Sequence, residues 1–151
     1  MNDATEIFPD LWIGNSKCIE DMVFLTENKF QCIINCTKDI KFNNTYMEAE
    51  QVRLSIDDHP TTNLFDNNME MFDKLSDIVK YIHHYLCQNK PVLVYCSAGK
   101  QRSPTVVAAY IMQYGKVTAK QAIEYIKSKR LECFDPRVNF YLSLQKFEEK
   151  K

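Results

Sequence analysis

The sequence predicts an α/β fold, with a central, mainly parallel twisted sheet flanked by helices. Two short segments, 32–36 and 91–95, have the apolar character of strands that are covered on both faces of a parallel sheet. Segments with helical periodicity lie between and after them, and strands that alternate with helices are typical of such a sheet. The 151 residues contain no repeat and no Pro- or Ser-rich linker, which favours a single domain over 1–151.

The first third of the chain predicts four strands and one helix. The strands follow from short apolar or alternating runs, and Pro9–Asp10 is a turn pair that separates the first two. A polar capping residue before apolar residues on one side indicates the helix. In order, the elements are strands at 6–8 and 11–13, a helix that Ser16 caps and that ends near Asn28, and strands at 32–36 and 51–56.

The rest of the chain predicts four helices and one strand. The longest pattern has apolar residues at steps of three and four, which indicates one apolar helix face. Its predicted members are Phe65, Met69, Phe72, Leu75, Val79, Ile82 and Leu86. A proline begins the buried strand, and Thr118 with Gln121 forms a capping box. In order, the elements are helix 63–87, strand 91–95, helix 103–114 with Gly115 as its stop, helix 119–129, and a last helix from about 138.

Composition argues against several classes of protein. The net charge is −1 and the pI is about 6.3, so no basic excess indicates a nucleic-acid partner. No run of 18 apolar residues predicts a membrane span, and the first residues resemble no secretory signal. The six cysteines form no CxxC pair and lie at no metal-ligand spacing from a histidine, so we expect reduced thiols, no metal and no cofactor. This pattern favours a cytoplasmic protein with possible access to the nucleus.

The segment 96–103, CSAGKQRS, lies between the predicted strand 91–95 and the next helix. Ligands of open α/β sheets bind beyond the carboxyl ends of strands, and a helix N-terminus favours anions. Successive backbone N–H groups in such a loop can bind a phosphate-like dianion, and Gly99 suits an unusual backbone angle. We call 96–103 the phosphate loop. Its expected substrate-binding residues are Ser97, Ala98, Gly99, Lys100 and Gln101.

Three residues of this loop have the chemistry of catalytic groups. A thiol near a helix N-terminus and a guanidinium is favoured as the thiolate, which makes Cys96 a candidate nucleophile. Arg102 can donate two N–H groups to two phosphoryl oxygens, and the Ser103 hydroxyl can stabilise the sulfur when it leaves. A cysteine that ends a buried strand is often only a packing residue. The order of strand, cysteine, glycine, arginine, hydroxyl and helix favours the catalytic interpretation.

The stretch 94–105, VYCSAGKQRSPT, resembles the C-x5-R-[ST] phosphate loop of the protein tyrosine phosphatases, particularly the dual-specificity branch. The likeness extends to IFPDLWIG at 7–14, to CIINCT at 32–37 and to the tail FDPRVNFYLSLQKFE. The resemblance implies a phosphatase acting on phosphotyrosine, phosphoserine and phosphothreonine in proteins. It implies attack by the cysteine, a phosphocysteine intermediate and its hydrolysis by water. An aspartic acid on a separate loop would protonate the leaving oxygen and then accept a proton from the water.

The segment 53–63, RLSIDDHPTTN, matches the position of that acid in the family. Asn63-Leu64 resembles the start of the family's long helix, and counting back from it favours Asp58, with Asp57 as the alternative. Both could instead be solvated turn residues. His59 could tune the acid or lie on a surface loop. Asn139 is expected to anchor the last helix.

Tyr95 departs from the family, which usually has histidine immediately before the nucleophile. That histidine helps to hold the loop and favours the thiolate, so we expect a thiol that ionises less readily and a slower enzyme. Two alternatives stay open. One is a phosphoinositide or RNA 5′-phosphatase on the same loop, with positive charge from Lys100, Lys38, Lys41 and Arg137. The other is a pseudophosphatase that binds phosphorylated partners. The oligomeric state is not predicted.

Overall fold

The structure, a computed structural model, describes residues 2–58 and 63–150, with a five-stranded sheet at its centre. The strands are β1 (Ala4–Phe8), β2 (Leu11–Gly14), β3 (Cys32–Asn35), β4 (Glu50–Arg53) and β5 (Val92–Tyr95). They lie in the order β1-β2-β5-β3-β4. β1 pairs antiparallel with β2, and every other pair of neighbours is parallel. The predicted mainly parallel sheet is therefore confirmed.

Helices flank the sheet on both faces. They are α1 (Met22–Asn28), α2 (Leu64–Leu86), α3 (Arg102–Gly115), α4 (Ala119–Lys129) and α5 (Tyr141–Lys150), with a short 3-10 helix at Cys18–Glu20. None of these helices combines the length and apolar character needed to cross a membrane. The expectation of one domain over 1–151 stays a prediction.

The sheet separates two hydrophobic clusters, because successive strand residues point to opposite faces. In β5, Val92 and Val94 belong to the larger cluster, as does Cys96 just beyond the strand. Leu93 and Tyr95 belong to the smaller cluster on the other face. Helices α2 to α5 contribute to the larger cluster and α1 to the smaller one. The candidate nucleophile and the tyrosine before it therefore lie on opposite faces of the sheet.

The first helix begins later than predicted, so the assignment of Ser16 as its cap is wrong. Asp21 is the cap, and its carboxylate accepts a hydrogen bond from the backbone N–H of Phe24 at 3.0 Å. The side chain of Asn15 accepts from the backbone N–H groups of Lys17 and Cys18, which favours a tight turn at this point. The backbone N–H of Ser16 instead donates to the carbonyl of Ser97 in the phosphate loop at 3.0 Å.

The buried face of the long helix α2 differs from the prediction at its first turn, whereas Leu75, Val79 and Ile82 are buried as predicted. Phe65 is 57% exposed, so its assignment to the apolar face is wrong. The buried face begins instead with the amides of Asn67 and Asn68 and continues through Met71 and the apolar residues beyond. The apolar periodicity could not reveal this because the first turn packs through hydrogen-bonded amides, which a hydrophobic pattern does not count.

Helices α3 and α4 differ little from the prediction. Helix α3 begins one residue early, at Arg102, and includes Gly115, because Lys116 rather than the glycine takes the left-handed conformation at its end. The capping box of α4 is confirmed: the Thr118 hydroxyl accepts from the backbone N–H of Gln121, whose side chain accepts from the backbone of Thr118.

Two further elements, a strand and the last helix, are shorter than predicted. The strand expected at 51–56 ends at Arg53, where the chain leaves the sheet and runs toward the phosphate loop. The last helix begins at Tyr141 rather than near 138. In both places a residue that lies outside regular structure contributes to the candidate site, namely Ile56 in one and Asn139 in the other.

Candidate active site

The phosphate loop begins at the carboxyl end of β5 and ends in the first turn of α3. Cys96 is 2% exposed, and its backbone N–H donates to the carbonyl of Gly14 at 3.2 Å. Gly99 has a φ of +69°, as its predicted role in the loop requires. A Cβ on Gly99 would lie 3.0 Å from backbone atoms of Gly14, so a larger residue would be both strained and crowded. Neighbouring strands β2 and β5 therefore set the path of the loop.

The sulfur and two polar groups of the loop lie close together. The Cys96 Sγ is 3.2 Å from the Oγ of Ser103, which is fully buried at the start of α3. Arg102 precedes that serine and donates from Nη1 to the carbonyl of Ile56 at 3.0 Å. This bond joins the phosphate loop to the segment that follows β4. One short loop therefore carries a nucleophile, a hydroxyl able to stabilise it and a forked cation.

An open cavity of about 390 Å³ lies at this end of the sheet. It is lined from the phosphate loop by Ser97 and Arg102 and from the segment after β4 by Ile56, Asp57 and Asp58. The third part of its wall is the segment 38–40 after β3. The structure thus brings both candidate acids to the same cavity as the arginine. A volume of this size accommodates a phosphorylated side chain.

Asp58 is held by a side chain from a distant part of the sequence, Asn139. Burial raises the pKa of Asp58, partly offset by a hydrogen bond from Nδ2 of Asn139 at 3.1 Å and by the charge of Arg102. The charge of Asp57 raises the pKa of Asp58 further. A carboxyl with a raised pKa holds a proton at higher pH than usual, which suits a general acid. The predicted neighbour His59 lies outside the described residues.

The other predicted binding residues occupy different positions. Ser97 and Ala98 are exposed, and Lys100 is half-buried with its carbonyl accepting from the backbone N–H of Phe134 at 2.8 Å. Gln101 is buried, and its side chain turns toward the segment before α5 rather than into the cavity. Only Ser97 of these four lines the cavity. The other three residues contribute no side chain to the wall of this cavity.

The cavity rim is less basic than the sequence suggested. Of the four cations considered, only Lys38 lines it, and its Nζ lies 3.8 Å from a carboxylate oxygen of Glu70. Lys41 lines a separate cavity, whereas Lys100 and Arg137 do not contribute side chains to the wall. Besides the two candidate acids, Asp39 also lines this space.

Arg130 holds the phosphate loop through a hydrogen bond to its backbone. No local pattern in the sequence indicates this role. Arg130 is 2% exposed, and its Nε donates to the carbonyl of Gly99 at 3.1 Å. Its Nη1 donates to the carbonyl of Asn2 and to the hydroxyl of Thr5, both at 2.8 Å. The loop is thus tied to the N-terminal strand through a residue 31 positions away in the sequence.

Residues 2–58 and 63–150 contain no cluster of three or more histidine, cysteine, aspartate or glutamate side chains that could hold a metal ion. The groups that the described chain brings to the site include the thiol, the guanidinium, the Ser103 hydroxyl, the carboxylates and the backbone of the loop.

Tyr95 is fully buried in the smaller cluster, behind the loop. Burial raises the pKa of Tyr95, so the phenol stays protonated. Among the residues that the structure describes, its hydroxyl has no hydrogen-bond partner. The phenol therefore does not reproduce the hydrogen bonds with which the family's histidine would hold the loop.

Replacing Tyr95 with phenylalanine should increase the free energy of unfolding by about 1 kcal/mol, because the buried hydroxyl loses water on folding without gaining a partner. Tyr46→Phe is the matched control, since the Tyr46 hydroxyl donates to the carbonyl of Phe30 at 2.7 Å in the same cluster. That control should lose about 1 kcal/mol. Urea unfolding measures both changes. A loss of stability in Tyr95→Phe would contradict the conclusion that the Tyr95 hydroxyl has no hydrogen-bond partner among the described residues.

Comparison with known proteins relates the chain to one family. Residues 11–150 match the family model described as "Dual specificity phosphatase, catalytic domain". The 123R protein of Invertebrate iridescent virus 6, which is named as a tyrosine phosphatase, is 33% identical over 146 residues, covering 97% of this chain and 92% of the relative. Dual specificity protein phosphatase 22 of Homo sapiens is 30% identical over 149 residues, covering 98% of this chain and 75% of the relative.

Solved structures share the fold. The crystal structure of human DUSP28 aligns over 99% of this chain and 95% of its own, with a TM-score of 0.85 and 21% sequence identity. At that identity the likeness supports the architecture alone.

Proposed function

The chain belongs to the dual-specificity phosphatase family and is a protein phosphatase, and we propose that it hydrolyses phosphotyrosine, phosphoserine and phosphothreonine in proteins through a phosphocysteine intermediate on Cys96. The observation that carries the proposal is the approach of the Cys96 sulfur to the Ser103 hydroxyl at 3.2 Å, next to Arg102 in the same loop. Phosphorylated proteins are the substrate class that the family implies.

In the first step, the Cys96 thiolate attacks phosphorus and the bond from phosphorus to the substrate oxygen breaks. Arg102 donates to two phosphoryl oxygens, and the backbone N–H groups of the loop contact the same dianion. Asp58 gives its proton to the departing oxygen, which leaves as a phenol or alcohol. The sulfur–phosphorus bond has then replaced the oxygen–phosphorus bond, and Asp58 is ionised.

In the second step, water attacks the phosphocysteine. Asp58 accepts a proton from that water as the new oxygen–phosphorus bond forms. The sulfur leaves as the Cys96 thiolate, which the adjacent Ser103 hydroxyl stabilises by donating a hydrogen bond. Inorganic phosphate is released, and both Cys96 and Asp58 return to their starting protonation states.

The rim argues against the phosphoinositide alternative. Asp39, Asp57 and Asp58 line the cavity, while Lys38 is paired with Glu70. A ligand with several phosphates would meet repulsion from the carboxylates of Asp39 and Asp57, and the same holds for an RNA end. The presence of Cys96, Arg102 and Ser103 together argues against a pseudophosphatase. A cytoplasmic location with access to the nucleus stays a prediction.

Asp58→Asn should lower kcat for p-nitrophenyl phosphate by about 10²- to 10³-fold, because the amide cannot donate the proton that the leaving oxygen needs. Turnover of the wild type should fall as the pH rises through the raised pKa of Asp58, since the acid works only while protonated. That alkaline limb should be absent in Asp58→Asn. Initial rates from about pH 5 to about pH 8, in reductant and chelator, measure both effects.

Asp57→Asn is the matched control, because it removes a neighbouring carboxyl on the same wall of the cavity. It should retain most of the turnover and keep the alkaline limb, moved to lower pH because one charge that raises the pKa of Asp58 is lost. A large loss in Asp57→Asn together with near-normal turnover in Asp58→Asn would reassign the acid to Asp57.

A further inference from the structure

The side chain of Asn139 contacts the carboxyl group of Asp58 across a separation of 81 residues. Its Nδ2 donates to Oδ1 of Asp58 at 3.1 Å, and this bond lowers the pKa of the carboxyl against the effect of burial. A donor that faces Oδ1 disfavours a proton on that oxygen. The acid proton is therefore directed to Oδ2, and rotation of the carboxyl is restricted.

The backbone of Asn139 is itself held by the phosphate loop and by α2. Its N–H donates to Oε1 of Gln101 at 3.0 Å, and its carbonyl accepts from Nδ2 of Asn68 at 3.0 Å. Gln101 is buried, and its Nε2 donates to the carbonyl of Arg137 at 2.7 Å. The oxygen and the nitrogen of the glutamine amide thus both bond to backbone groups of the segment 137–139. One residue therefore bonds to the acid and to the loop that binds phosphate.

The second support, Asn68, is fixed in turn. It is buried on α2, where its Oδ1 accepts from the backbone N–H of Ser143 at 2.9 Å. The Ser143 hydroxyl lies 2.8 Å from the carbonyl of Asn68. Buried polar groups whose hydrogen bonds are satisfied are rigid, because each broken bond would leave an unpaired group out of water. The position of Asn139 is therefore determined from α2, α5 and the phosphate loop together.

We propose that Asn139 is the positioning residue for the general acid, holding the Asp58 carboxyl at a fixed distance and orientation relative to the phosphate loop through Gln101. The inference rests on the proposed function, in which Asp58 protonates the leaving oxygen. It gives a catalytic purpose to a residue that the sequence suggested only as a helix anchor. Because both backbone bonds of Asn139 survive a change of its side chain, the bond to Asp58 can be removed by itself.

Arg102 and Asp57 are the described charges that act on Asp58, and further charged groups lie at the same cavity. Arg102 lies on α3, Asp57 on the same segment, and Lys38, Asp39 and Glu70 around the same end of the cavity. Substitution of Asn139 leaves all of them in place. Among the residues that the structure describes, Asn139 and Arg102 lower the pKa of Asp58, so loss of the amide should raise that pKa. The alkaline limb of the rate should then move to higher pH, while the maximal rate falls because the acid is no longer aligned.

The test compares two aryl phosphates in four proteins: wild type, Asn139→Leu, Asp58→Asn and the double variant. Phenyl phosphate has a poor leaving group and depends on the acid, whereas 2,4-dinitrophenyl phosphate has a good one and depends on it much less. Asn139→Leu should lower kcat for phenyl phosphate by about 10- to 100-fold, the range expected for a misplaced catalytic group. For 2,4-dinitrophenyl phosphate the loss should stay below about threefold, because little proton transfer is required.

In the Asp58→Asn background, adding Asn139→Leu should cause no further loss, since there is no acid left to position. Asn139→Asp serves as a second variant, because it preserves the size of the side chain but presents an ionised oxygen instead of a donor. It should show the same leaving-group selectivity and a larger shift of the alkaline limb to higher pH. If either Asn139→Leu or Asn139→Asp does not fold, the other variant still tests whether Asn139 positions the acid.

Equal losses with both substrates, or the same loss in the Asp58→Asn background, would overturn the inference and leave Asn139 as a structural residue. Those outcomes do not touch the proposed function. If Asp58→Asn alone retained wild-type turnover with both substrates, the acid assignment itself would be wrong, and the inference would fall with it.

Discussion

Cys96→Ser should abolish hydrolysis of aryl phosphates, with a loss on the order of 10⁴-fold or more. A hydroxyl ionises far less readily than a thiol, and its only described side-chain neighbour at hydrogen-bond distance is another hydroxyl, on Ser103. Among the described residues no base is therefore placed to activate a serine at this position. The measurement is the initial rate with p-nitrophenyl phosphate, together with circular dichroism to establish folding. Inorganic phosphate should still bind, because Arg102 and the loop backbone remain.

Cys133→Ser is the matched control for this experiment. Cys133 is also fully buried, and its Sγ lies 3.7 Å from the carbonyl of Gly99 in the same loop. Burial raises the pKa of Cys133 to about 12, partly offset by Arg130, so this thiol stays protonated at neutral pH. Cys133→Ser should keep most of the turnover. Substantial hydrolysis by Cys96→Ser, or equal losses in the two variants, would contradict the assignment of Cys96.

Arg102→Lys should lower kcat/KM by on the order of 10³-fold, although the positive charge is retained. Lysine presents a single ammonium group and cannot donate in parallel to two phosphoryl oxygens. It also cannot do so while keeping the bond that Nη1 of Arg102 makes to the carbonyl of Ile56. That bond connects the phosphate loop to the segment of the acid, so both phosphate binding and the alignment of Asp58 should suffer.

The effect of Arg102→Lys is measured as kcat/KM and as inhibition by inorganic phosphate, which should weaken in parallel. Arg137→Lys is the control, because Arg137 is exposed and its backbone carbonyl contacts the loop through Gln101, a bond that the substitution preserves. Its turnover should stay within about twofold of wild type, as expected for a surface substitution. A tolerated Arg102→Lys change would mean that the arginine contributes charge alone.

The sequence predicted those features that local patterns encode. The apolar runs at 32–36 and 91–95 became neighbouring parallel strands β3 and β5, because a segment covered on both faces must be apolar throughout. The order of residues at 96–103 predicted a loop joining a buried strand to a helix, with glycine at its left-handed position. Such features depend on residues close together in the chain, so the sequence pattern is sufficient to predict them.

Most of the features that were missed depend on residues far apart. Nothing near Arg130 indicates that it donates to the carbonyl of Gly99, and nothing near Asn139 indicates a contact with Asp58. The predicted start of α1 was wrong because Asn15, Ser16 and Asp21 are all good capping residues. In the structure the side chains of Asn15 and Asp21 accept from nearby backbone N–H groups. Choosing among them requires knowing what else contacts each one.

The central claim is that phosphate is transferred to the sulfur of Cys96, and a rapid acid quench during turnover tests it most directly. The enzyme is mixed with excess aryl phosphate, quenched within the first turnovers, digested and analysed by mass spectrometry. We expect a phosphorylated peptide with the modification on Cys96, absent from Cys96→Ser, and a matching burst of released phenol. Turnover without any phosphorylated Cys96, or with phosphate on a different residue, would contradict the claim.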